Sequence, residues 1–187
     1  YMIQQKDDSK TTYQFDEKQL MQTTGKKMYA PVNGGFGLAV TYRNVSLDLA
    51  FSYSLGKWLI NEDKYYTLNQ GSFGAKNFSK DLLNYWKQEG DDTELPRLNS
   101  AYYMRKDTRL LENASYMRLK SVSISYALPQ ELIDQMKFFS GVRLYASARN
   151  IFTITKYSGA DPEFSNTLSR GGYPPARQFT IGVELKF

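Results

Sequence analysis

Charged and hydrogen-bonding side chains at every second position suit an extended chain that offers one polar face. Arg143, Tyr145 and Arg149 share one parity, and Asp48 and Glu184 sit among small polar residues in two other segments. On strands, each set projects to a single side. Such groups contact a charged or sugar-like solute, or brace a charged neighbouring surface. Covalent chemistry is poorly supplied. The 187 residues include no His and no Cys, which removes imidazole bases, thiolate zinc sites, thiol nucleophiles and the Ser-His-Asp triad. Carboxylate-only and Ser–Lys chemistry stay open, so an enzyme ranks third among the readings. No catalytic residue, metal ligand or cofactor is expected. Asp161-Pro162-Glu163 offers two carboxylates in a proline turn, too few oxygens for calcium. The net charge of +5 is scattered, which argues against a nucleic-acid surface.

The elements that position these groups read as strands. In Phe179-Thr180-Ile181-Gly182-Val183-Glu184-Leu185-Lys186-Phe187, apolar residues take every odd position, the period of a strand with one apolar face. The same pattern predicts strands over 35–42, 45–55, 116–128 and 142–155. Arg43-Asn44 suits a tight turn. Met117 and Leu119 fall out of phase with Val122, Ile124 and Tyr126, a slip that a β-bulge would explain. Residues 130–137 suit two helical turns after Pro129. Ser79 is a helix N-cap candidate, with Leu82, Leu83, Tyr85 and Trp86 at near-helical spacing after it. The aromatic pair stacks on sugar rings or packs against a partner protein.

The connections run short, long (about 56–112), intermediate and long (about 156–177). Successive strands reverse direction, so both long loops emerge on one side, as surface loops of outer-membrane barrels do. Arg105, Lys106, Arg109, Arg118 and Lys120 gather at that end of the third strand, where they either meet outer-leaflet phosphates or form a solvated loop base. Aromatics make up 15% of residues, consistent with interfacial girdles and equally with good strand formers. No apolar run is long enough for a membrane helix. Five strands cannot close a bilayer barrel, and bare edges in lipid cost several kcal/mol per unsatisfied group. The chain is therefore either a sector of a larger barrel or a soluble β-sandwich that turns the same apolar faces inward. In a barrel, Arg143 and Arg149 must face the lumen or a plug, since lipid exposure would cost about 2–4 kcal/mol each at the midplane.

Ordered motifs over about residues 31–187 resemble the SusC/RagA-type TonB-dependent outer-membrane transporters. They include Tyr116-Met117-Arg118-Leu119-Lys120-Ser121-Val122, Ala148-Arg149-Asn150-Ile151-Phe152-Thr153, Gly159-Ala160-Asp161-Pro162-Glu163 and Tyr173-Pro174-Pro175-Ala176-Arg177-Gln178-Phe179. Asn33-Gly34-Gly35-Phe36-Gly37 and Asp81-Leu82-Leu83-Asn84-Tyr85-Trp86 add to them. The resemblance implies an all-β, antiparallel transmembrane β-barrel sector: roughly the last five to six strands of a barrel of about 22. Residues 1–34 would be a surface loop with a possible strand end, and 35–187 the C-terminal barrel part. It further implies import of oligosaccharides or peptides with a SusD-like lid lipoprotein, powered by the TonB complex through a plug. Partners would be that plug, the remaining strands and outer-membrane lipid, with Phe187 as the barrel-assembly signal. The expected location is the outer membrane. The alternative remains a soluble or surface-exposed β-sandwich carbohydrate-binding module. A first residue of Tyr1 without a signal segment suggests a mature, truncated or nicked parent, which the intact mass of the purified complex would resolve.

Overall fold

A computed structural model describes residues 3–4, 11–12, 23–69, 77–93, 95–98, 107–164 and 172–187. The chain divides into two compact units, one of Tyr1–Lys26 with Glu62–Leu110 and one of Lys27–Asn61 with Leu111–Phe187.

The first unit holds a small pair of strands, β1 (Ile3–Gln4) and β2 (Thr11–Thr12), and helix α1 (Glu62–Leu68), whose first turn carries Glu62 and Asp63. It also holds 3-10 turns at Lys80–Leu83 and Thr108–Leu110. Among the described residues, Leu68, Leu82 and Leu110 are its buried leucines. Ser79 caps as expected, accepting from the Asp81 amide at 3.2 Å. The helical turn stops at Leu83, however. Asn84 turns its amide back to the Asp81 carbonyl at 3.0 Å, so Tyr85 and Trp86 lie beyond the helix. Tyr85 instead bridges to Leu95, and the Trp86 amide donates to the Leu95 carbonyl at 2.9 Å.

The second unit is built on a five-stranded antiparallel sheet. Its strands are β3 (Val32–Tyr42), β4 (Val45–Leu55), β7 (Tyr116–Ala127), β8 (Gly141–Thr155) and β9 (Gln178–Lys186), and they neighbour one another in that order. All five expected strands are present, the first starting three residues earlier than the alternation indicates. At about 3.3 Å per residue, an 11-residue strand tilted by 45° rises about 25 Å, the height of an outer-membrane apolar band. A separate small sheet pairs β5 (Trp58–Ile60) with β6 (Leu111–Asn113). Here Leu59, Ala114 and Tyr157 form a buried cluster with Met28 and Phe164 against it.

Register keeps the two faces of the large sheet chemically separate. Phe36 pairs with Phe51, Leu38 with Leu49 and Val40 with Leu47; Leu47 and Leu49 then pair with Ile124 and Val122. Leu144 and Ala146 continue the apolar face to Val183 and Ile181. The rings of Phe36 and Phe51 stack with centroids 4.8 Å apart. On the other face Asp48 lies opposite Ala39 and Ser123, and Arg143 opposite Glu184.

The phase slip in β7 is a bulge. Leu119 pairs with Phe51 and Ser121 with Ala50, which leaves Lys120 unpaired between them. The extra residue lets Lys120 and Ser121 both avoid the apolar face while Leu119 and Met117 stay on it. Strand β8 answers with a wider irregularity, where Phe152 pairs with Leu119 and Arg149 with Ser121. Within it, Asn150 takes a left-handed backbone with φ 54°, and its amide donates to the Ala176 carbonyl at 3.2 Å.

The hairpin β3–β4 turns at Arg43-Asn44, and the positive φ (51°) falls on Arg43 rather than on the asparagine. The β7–β8 connection carries helix α2 (Gln130–Met136) after Pro129, with Ile133 as its buried residue; it ends at Lys137 in a left-handed conformation.

Candidate functional site

Alternation assigns the polar face of the sheet by strand. Asp48 comes from β4, Arg118 and Lys120 from β7, Arg143, Tyr145 and Arg149 from β8, and Glu184 from β9. These residues do not converge on one pocket. Arg143 and Glu184 pair at 3.5 Å, both half exposed, a geometry of little energetic weight. Arg149 lies opposite Ser121 and Gln178 with no ion pair among the described residues, and Asp48 likewise. Tyr145 is held down on the sheet. A Cβ at its register partner Gly182 would stand 2.4 Å from the Tyr145 ring, so the ring occupies the space that the glycine leaves open.

The strongest electrostatics lie where β4, β7 and β8 meet their long connections. Arg118, only 4% exposed, donates to Asp161 at 2.7 Å, to Glu163 at 2.6 Å and to Thr153 at 2.8 Å. Lys120 donates to both Glu163 oxygens, at 2.6 and 2.8 Å. Asp161, 1% exposed, also accepts the Glu163 amide at 2.7 Å. From the far side Lys57 donates to the carbonyls of Pro162 and Phe164, at 2.8 and 2.6 Å. Burial pushes the Lys57 ammonium below its ordinary value, and the carboxylates of Glu163 and Asp161 only partly offset this.

This cluster redirects one expectation. Arg118 and Lys120 spend their donors on carboxylates of the second long loop rather than on lipid phosphates, and Arg109 pairs with Asp107. Arg105 and Lys106 lie outside the described residues. Asp161-Pro162-Glu163 is the expected turn, and its oxygens are committed to Arg118 and Lys120. Sequence does not disclose this partnership, because it joins residues more than 40 positions apart. The signal available is the bulge itself, which turns Lys120 toward the polar face.

A second network ties the base of the loops. Glu112 accepts from the Ser158 amide at 2.8 Å and from the Ser158 hydroxyl at 2.8 and 2.9 Å, and Asn61 donates to Ser158 at 2.9 Å.

The apolar face has the opposite character. In β9, Phe179 is 74% exposed, Ile181 87%, Val183 57% and Leu185 45%. A sandwich would bury these residues; here they form part of a broad exposed apolar surface, of the kind that marks a contact with a membrane or a partner. At the chain end, the Ser140 amide donates to the Lys186 carbonyl at 2.7 Å and its hydroxyl to the Phe187 carbonyl at 3.1 Å. The Phe139 and Phe187 rings sit 5.3 Å apart.

No family model matches the chain. Among curated proteins it is 36% identical over 165 residues to TonB-dependent receptor P3 of Formosa agariphila, covering 82% of this chain and 16% of that protein. It is 34% identical over 77 residues to TonB-dependent receptor SusC of Bacteroides thetaiotaomicron, covering 41% of this chain and 8% of that one. Among solved structures, the RagAB peptide importer in its open-open state superimposes with a TM-score of 0.85 at 39% identity, over 97% of this chain and 20% of that chain. The chain thus spans about one sixth to one fifth of the relatives it matches over most of its length.

Proposed function

The chain belongs to the SusC-like TonB-dependent receptors, and from that premise we propose that it forms an outer-membrane sector of a nutrient importer for peptides or oligosaccharides. The apolar face of its sheet meets acyl chains. The polar face lines the lumen or braces a plug, with Asp48, Arg143, Tyr145, Arg149 and Glu184 as its contact groups. The long connections reach the cell surface, where Tyr85 and Trp86 contact a SusD-like lid lipoprotein or the substrate. The rest of the barrel supplies neighbours for β3 and β9, a plug couples to TonB, and Phe187 serves barrel assembly. In this reading 35–187 is barrel and its surface loops span about 56–112 and 156–177.

The observation that carries the proposal is the exposed β9 apolar row on a sheet whose two edges have no strand partner among the described residues. A barrel satisfies both, because closure removes edges and lipid covers the face. The RagAB likeness favours peptide cargo as the first substrate to try. Cells making the complete transporter should accumulate a labelled oligopeptide or oligosaccharide in a TonB-dependent manner. Uptake indifferent to loss of the transporter would overturn the importer reading.

A further inference from the structure

On the apolar face, β8 carries small side chains between two bulky rows. Ala146 lies opposite Ile124 of β7 and Ile181 of β9, and Leu144 opposite Tyr126 and Val183. Ile181 is 87% exposed and Ile124 48%, whereas Ala148, next along the same face of β8, is 9% exposed. The face is therefore furrowed along β8. An open groove of about 340 Å³ lies there, lined by these residues around Ala146 and by Val45. Its walls come from β4, β7, β8 and β9, so barrel closure adds strands beside it and not over it.

The turn end of the groove carries a cation. Val45 lies opposite Tyr42 as well as Tyr126. The Arg43 guanidinium stands over the Tyr42 ring, 5.4 Å from its centroid, which keeps the charge on the apolar side of the β3–β4 turn. Among the described residues Arg43 has no carboxylate partner. We propose that the groove holds one acyl chain of an anionic phospholipid of the periplasmic leaflet, with Arg43 meeting its phosphate. This rests on reading the apolar face as the lipid face, with the short turns toward the periplasm. A methylene chain suits a narrow furrow with apolar walls. Tyr42 and Tyr126 mark headgroup depth at its end, and the free guanidinium beside them attracts an anionic headgroup. An apolar protein segment would leave that charge unanswered.

The test uses the complete transporter, stripped of lipid in detergent and titrated with phosphatidylglycerol or phosphatidylethanolamine of the same acyl chains. In native mass spectra phosphatidylglycerol should be retained about fivefold better. Ala146→Phe fills the groove and should cut retention of both lipids about tenfold. Arg43→Gln should bring phosphatidylglycerol down to the level of phosphatidylethanolamine, and Arg43→Lys should preserve the preference. Retention indifferent to Ala146→Phe, or a preference indifferent to Arg43→Gln, would overturn the site. Inorganic phosphate should not displace the lipid; displacement would reduce the site to an anion contact at Arg43 and remove the acyl chain from it. Should Ala146→Phe not assemble, Arg43→Gln decides alone. A photoreactive residue at Val40, on the apolar face of β3 outside the groove, separates this from failure of the lipid-face reading. It should attach to phospholipid in membranes, and attachment to peptide would sink the face assignment itself. Lipid attached at Val40 with silent groove variants would sink the groove alone.

Discussion

At the scale of the residue, burial decides which ion pairs matter. Arg118 and Asp161 meet almost without water, so removing Asp161 leaves the buried guanidinium with Glu163 alone, a carboxylate it shares with Lys120. Asp161→Asn should lower unfolding stability by about 3–5 kcal/mol, read as a shifted denaturant midpoint of the complete barrel or as loss of assembly. Arg143→Gln, whose pair with Glu184 is half exposed and 3.5 Å long, should change it by less than about 1 kcal/mol. Asp91 offers a pH-dependent counterpart. Its Oδ2 accepts the Lys87 and Gln88 amides at 2.8 and 3.0 Å, and these bonds hold its carboxyl below the ordinary 3.8. The folded carboxyl thus titrates below the unfolded one. The turn is fully supported above pH 3.8 and loses that support as pH falls through the lowered value. Deuterium uptake at those two amides, corrected for intrinsic rate, should rise in that acid range only.

At the scale of the element, the strands were legible because period-two alternation is local and the sheet keeps its apolar side chains on one face. Residues 45–55 match to the residue, and the slip at Met117 and Leu119 announced its own bulge. What was not legible depends on distant partners. β5 finds β6 some 50 residues on, and three residues of Trp58-Leu59-Ile60 carry no period by themselves. Helix α1 is two turns long, below the length at which amphipathic spacing becomes diagnostic. Spacing alone extends the helix to the aromatic pair after Leu83, whereas Asn84 and the bridge to Leu95 end it. Parity separates the candidate polar residues from the apolar rows, but it says nothing of their ion-pair partners, since sequence shows parity and not proximity. Two consequences belong at this scale. Arg43 holds a left-handed backbone that costs an ordinary residue about 1–2 kcal/mol, so Arg43→Gly should stabilise the hairpin by up to about 1 kcal/mol, seen in thermal unfolding. Ile181→Arg, in the middle of β9 on the apolar face, should cost about 2–4 kcal/mol and reduce the heat-resistant folded band on gels. The same change at Thr180, on the other face, should be tolerated.

At the scale of the whole molecule, the sheet is an incomplete surface. Among the described residues, both of its edges, β3 and β9, present backbone donors and acceptors without a strand partner, and its apolar side chains are exposed. Produced alone in water, the chain should therefore aggregate or remain unfolded, and sedimentation with and without detergent reads this directly. A monodisperse, folded, soluble chain would contradict the sector. Within the complete barrel the same edges become ordinary ladders, so stability belongs to the closed ring and not to this portion of it.

The unpaired position of Lys120 makes β7 unusually forgiving at one point. Excising that lysine leaves Ser121, Leu119, Arg118 and Met117 in plain alternation, so every remaining side chain keeps its present side. Excising Ser123 instead would turn the outer half of the strand inside out, sending arginine to the oil and leucine to the water. A shortened chain should hence be viable when trimmed at the kink and ruinous two or three positions away, which makes deletion scanning a sharper probe of β7 than any substitution.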